Sequence, residues 1–130
     1  MGGKVDEAEN LEVGFNHIQV LDRENLLKDI PEKFPAFTYH WDYVSLIPPD
    51  FKVTARSDLC GVHSIKHLSK PIFGIQFHIE FDKINAEEII DYLKEEISEE
   101  GINVEDLIHK TNLYSDDISK TIMKNFLDHV

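Results

Sequence analysis

A single cysteine, Cys60, is the only thiol in 130 residues. No internal disulfide can form, and a reducing compartment suits such a chain. Positive charge is also scarce, with 13 Lys and Arg against 25 Asp and Glu, a formal charge of −12. Without a basic stretch to neutralise phosphates, neither nucleic acid nor an anionic membrane surface is expected as a partner, and the excess acid reads as a solvated surface. No apolar run approaches the roughly 20 residues that span a bilayer. The opening Met1-Gly2-Gly3-Lys4-Val5-Asp6 lacks the apolar core of a signal peptide. A cytoplasmic location is the expectation that follows. Phosphate-loop and dinucleotide glycine patterns are missing too, so no cofactor is expected. Internal repeats, low-complexity stretches and linkers are absent.

What is present is ordinary globular material, 42% hydrophobic and 29% charged, enough for one domain over residues 1–130 with a real core. Residues 1 to about 83 read as strands and loops, and those from about 84 onward as helices. Leu11 to Val20 has a strand-like mixture interrupted by Gly14, and Leu26 to Ile30 predicts a short helical turn stopped by Pro31. Phe37–Tyr39 and Tyr43–Ile47 flank His40-Trp41-Asp42, and Pro48-Pro49-Asp50 predicts a turn. Phe51–Ala55, Val62–Leu68 and Ile72–His78 follow as strands, the last the most apolar and so the most buried. Asn85 with Glu88 resembles a capping box for a helix running to Gly101. Asn103 and Ser115 are candidate caps for two more, the last with an apolar stripe that predicts a core-facing surface.

The chemistry concentrates at the end of Phe73-Gly74-Ile75-Gln76-Phe77-His78-Ile79-Glu80. In an extended chain His78 and Glu80 project to one side. A carboxylate beside an imidazole fixes its tautomer and stabilises the imidazolium, the service an orienting acid gives a general base. Taken alone, His-x-Glu is a weak signal. Its weight comes from the ordered blocks upstream: Gly2-Gly3-Lys4-Val5, Glu12-Val13-Gly14-Phe15, Tyr39-His40-Trp41-Asp42, and Ile47-Pro48-Pro49-Asp50 through Arg56-Ser57-Asp58-Leu59-Cys60.

In that order the blocks resemble the class I glutamine amidotransferases, in particular the GMP synthase-like glutaminases. The resemblance implies a flavodoxin-like α/β fold lacking its N-terminal strands, a mixed sheet followed by C-terminal helices. It implies hydrolysis of the glutamine side-chain amide by a cysteine nucleophile, with ammonia delivered to a synthetase. His78 would be the triad base and Glu80 its orienting carboxylate. His40 and Asp42 match a block near the glutamine site, although on residues alone they read equally as a polar turn between strands. Glutamine is the implied substrate. A synthetase subunit or a complementary N-terminal half is the implied partner, and homo-oligomerisation is a further expectation, since missing strands would bare a sheet edge and apolar helix faces.

Two departures qualify the match. Ile79 stands where the family motif has proline, which relaxes the backbone between base and acid. The family's nucleophile elbow, Gly-x-Cys-x-Gly, precedes the Gly-Gly-x-Val segment, here Gly2 to Val5, and would therefore lie before residue 1, as for a truncated or split gene. The expectation is a chain inactive alone. Cys60 has glycine on one side only, and nothing in the sequence sets it beside His78, so it reads as a small, partly buried residue. A non-catalytic binding, regulatory or oligomerisation module is the alternative function, and a Cys60 hydrolase a third. His63 and His67, four apart in a predicted strand, are too widely spaced to chelate readily. With the other histidines they are read as surface residues, and no metal site is expected.

Overall fold

A computed structural model describes all 130 residues. Five strands, β1 (Lys4–Val20), β2 (Lys33–Leu46), β3 (Phe51–Arg56), β4 (Ser64–His67) and β5 (Phe73–Ile75), form one sheet in the order β2-β1-β3-β4-β5. Four helices follow: α1 (Lys83–Tyr92), α2 (Lys94–Glu99), α3 (Val104–Lys110) and α4 (Asp116–His129). The α/β order, sheet first and helices after, is the one the sequence predicts. Within the sheet every pairing is antiparallel, so the parallel component of a mixed sheet is not among these strands.

Strand alternation divides the core in two. Leu11, Val13, Phe15 and Phe37 face α1, α2 and α3, packing with Ala86, Ile90, Ile97 and Leu107. On the opposite face Ile18, Val20, Phe34, Ala36 and Ala55 pack with Leu26, Leu27, Phe77 and with Ile122 of α4. This is why Leu11 to Phe15 are buried without interruption: both faces of β1 are covered there. Gly14 makes the close approach possible. It sits at φ +93°, and a Cβ there would lie 2.7 Å from Leu107 Cδ2.

The sheet curls until its two ends meet. After β5 the chain leaves strand geometry, and Gln76 N–H donates to the His63 carbonyl (2.8 Å). His78 N–H then donates across to the Phe37 carbonyl of β2 (2.8 Å), an isolated antiparallel bridge. That single bond closes the seam. It also corrects the expectation of one long buried strand over Ile72–His78. β5 spans only three residues and is not deeply buried, because it is a sheet edge; Phe77 enters the core from the bend beyond it.

Other boundaries shift for local reasons. β2 runs unbroken through His40-Trp41-Asp42, since its pairing with β1 bypasses the polar block through a bulge between Glu7 and Glu12. The first helix is capped by Asp82, whose carboxylate accepts from Asn85 N–H (2.8 Å), rather than by Asn85. Asn103 caps α3 through Asp106 N–H (3.0 Å), as predicted. Ser115 holds the N-cap position of α4, but its side chain makes no capping bond. Asn125 anchors α4 instead, donating to the carbonyls of Leu26 (3.0 Å) and Lys28 (2.7 Å). No helix is long and apolar enough to cross a membrane.

Candidate functional site

His78 and Glu80 do come together. The ring Nδ1 lies 2.6 Å from Glu80 Oε1, a short charge-assisted contact. Backbone position is fixed by the seam bond to Phe37, and the ring packs against Phe37 and Phe81 at centroid distances of 6.2 and 5.2 Å. A carboxylate can only accept, so Nδ1 carries the proton, leaving Nε2 with a free lone pair and no partner in the chain. Partial burial works to raise the Glu80 carboxyl, but the hydrogen bond and charge of His78 outweigh it and hold it below its ordinary value. The imidazole is partly open to solvent, as a proton-transferring base must be.

Asp42 is exposed on β2, and its carbonyl accepts from Gln76 Nε2 (3.3 Å), which ties the His40–Asp42 block to the motif carrying His78. The same carbonyl lies 2.8 Å from His40 Nδ1. The His40 imidazole itself turns inward, away from solvent, and its Nε2 lies 3.3 Å from Glu12 Oε2.

That contact opens onto a second cluster, which the sequence alone did not reveal. Glu12 of β1, directly opposite His40 in the register, is almost wholly buried. Ser57 Oγ donates to its carboxylate (2.9 and 3.2 Å), and His63 Nε2 lies 3.0 Å from Oε1. Burial alone would raise the Glu12 carboxyl; the bonds from His40, His63 and Ser57 overcome that and bring it down to about 2. Cys60 completes the group, its amide donating to Ser57 Oγ (3.0 Å) and its thiol to the Val62 carbonyl (3.4 Å). Burial, with the charge of Glu12 adding to it, pushes that thiol up. The expectation that the histidines lie on the surface fails for His63, which has no exposed area. It precedes β4, on a loop that folds under the sheet. One signal was available: a carboxylate at Glu12 inside the apolar run Leu11 to Phe15 needs buried partners.

Residues 1–96 match the family model for Glutamine amidotransferase class-I. The chain belongs to the class I glutamine amidotransferase family. Among relatives of this amidotransferase, a glutamine-hydrolyzing GMP synthase subunit from Thermococcus kodakarensis is 42% identical over 79 residues, 61% of this chain and 42% of the relative. The like-named protein from Methanococcus maripaludis (strain S2) is 42% identical over 89 residues, 68% of this chain and 47% of the relative. The amidotransferase chain thus spans less than half the length of either. Among solved structures, a glutamine amidotransferase from Thermotoga maritima superposes with a TM-score of 0.78 at 19% identity, covering 98% of this chain and 54% of that one. One from Methylobacillus flagellatus gives 0.74 at 18%, covering 99% and 57%. These two likenesses speak to the fold.

Proposed function

We propose that this chain supplies the base and orienting carboxylate of a glutaminase centre whose nucleophile comes from polypeptide outside these 130 residues. The observation that carries it is the 2.6 Å His78–Glu80 contact, which leaves Nε2 as the basic nitrogen. His78 Nε2 takes the proton of a cysteine thiol. The thiolate attacks the amide carbon of glutamine, and the C–N bond breaks as His78 returns the proton to the departing ammonia. Water then cleaves the thioester, again with His78 as base, releasing glutamate. Glu80 holds the ring and stabilises its charged form. The Asp42 carboxylate offers a partner for the α-ammonium of glutamine. His40, turned inward, acts by holding the Asp42 carbonyl that Gln76 also grips.

The thiol present does not fit the nucleophile's place. Cys60 gathers with Glu12, His40 and His63, its thiol raised by burial, and a protonated buried thiol is a poor nucleophile. The relatives' name supports GMP synthesis as the use of the ammonia and a synthetase as the partner. A second reading, a non-catalytic binding or oligomerisation module, draws on the wholly apolar groove between β5 and α4, lined by Phe73, Ile75, Ile79, Met123 and Phe126 among others.

Ammonia release from glutamine separates these readings. It is measured for the chain alone and after addition of the N-terminal part of the Thermococcus kodakarensis relative. No release alone, release on mixing, and loss of that release in His78→Ala are the expected results. Release by the chain alone that disappears in Cys60→Ala would overturn the proposal. Glutamine binding or self-association with no release in any mixture would favour the module.

A further inference from the structure

The buried cluster at the end of the curled sheet holds one carboxylate, two imidazoles and one thiol. Donor atoms of Glu12, His40, Cys60 and His63 all lie within 4.8 Å of one another. A tetrahedral zinc-like ion, with ligand bonds of about 2.0–2.3 Å, places its ligands about 3.3–3.8 Å apart. The Glu12–His63 and Glu12–His40 separations, 3.0 and 3.3 Å, are already near that edge length.

Protonation makes the case sharper. The His40 Nδ1 contact at 2.8 Å is to a carbonyl, which can only accept, so Nδ1 carries hydrogen. Neutral His40 then aims the lone pair of Nε2 at a carboxylate oxygen, and this buried nitrogen has no hydrogen-bond partner. Two lone pairs facing each other in a dry site repel unless a cation stands between them. A metal-bound histidine has this arrangement, one nitrogen on the ion and the other N–H on a backbone carbonyl. His63 Nδ1 is likewise buried and unpartnered. Ser57 steadies the carboxylate from outside the donor set. An open groove of about 460 Å³ reaches Glu12, His40 and Cys60 from solvent, and Glu7 and Glu9 on its wall attract cations toward it.

We infer that Glu12, His40, Cys60 and His63 form a binding site for a zinc-class divalent cation, one that ties β1, β2 and the 57–63 loop together. Four protein donors saturate a tetrahedral ion and leave no position open, so the site is structural rather than hydrolytic. It is independent of the His78–Glu80 reading.

Cobalt(II) titration of the full chain tests this, because Cys60 is the only cysteine. The expected result is one cobalt per chain, with tetrahedral visible bands and a thiolate-to-cobalt charge-transfer band, all abolished by zinc. Cys60→Ala loses the charge-transfer band while its far-ultraviolet circular dichroism stays native. His40→Gln weakens binding at least tenfold. Free zinc at one hundred times its Kd raises the melting temperature by roughly 10 °C, and a chelator reverses the rise. Absence of the charge-transfer band in the folded wild-type chain would overturn the inference, leaving His40 as an imidazolium paired with Glu12. Its persistence in Cys60→Ala, or a melting temperature indifferent to zinc, would do the same.

Discussion

Asn125→Ala tests how the C-terminal helix is held. The turn that it grips, Asn25–Leu27, is flanked by two residues in left-handed conformation, Asn25 at φ 57° and Asp29 at φ 63°. Asn and Asp tolerate that region better than other side chains, yet the turn still needs restraint from outside. Asn125 provides it with both amide hydrogens, one to Leu26 O and one to Lys28 O. Truncation leaves two carbonyls short of a donor, one buried and one partly so, at about 1–1.5 kcal/mol each. The total is about 2–3 kcal/mol. For 130 residues the unfolding entropy is about 0.27 kcal/mol per kelvin, so the melting temperature should fall by roughly 7–11 °C. Urea denaturation should show a lower midpoint at unchanged slope, because the same surface is exposed on unfolding. Asn125→Asp should be worse than alanine, since it sets a carboxylate against two carbonyls. A loss under about 0.5 kcal/mol for alanine, or an aspartate variant as stable as wild type, would refute the account.

Gly14→Ala should cost about 2–4 kcal/mol, from left-handed strain plus the collision with Leu107. Combining it with Leu107→Ala should recover part of that, a positive coupling measurable in a double-mutant cycle. Asp22 is pushed up by burial but held below its ordinary 3.8 by Lys52, by the Glu24 amide and by Lys66. Because its folded value is the lower one, its contribution is complete above the unfolded value and fades as pH falls through the folded one. Asp22→Asn should therefore cost about 1 kcal/mol at neutral pH and progressively less below pH 3.8, read from urea midpoints across pH.

Much of this was legible in the residues. Alternating apolar positions marked β1, β3 and β4, and Asn103 announced α3, because these signals act within a few residues of chain. The adjacency of His78 and Glu80 was equally local, two residues apart and meeting even though the backbone there is not a strand. The cluster around Glu12 was not legible. Its members come from β1, β2 and the loop before β4, with sequence separations set by sheet register and by a bulge that no local rule positions. The shortness of β5 was hidden for a related reason: the pull that ends it is the bond from His78 to β2, forty-one residues earlier in the chain.

That bond has a mechanical consequence. β2 is one continuous strand from Phe37, where the sheet is stitched shut, to His40, which reaches the buried cluster, a span of about 10 Å. An extended backbone cannot stretch, so β2 acts as a spar between the two places. A displacement that draws His40 deeper must pull on the stitch at Phe37, and through it on the backbone that carries the imidazole of His78. The two clusters, chemically separate, are anchored to the same beam.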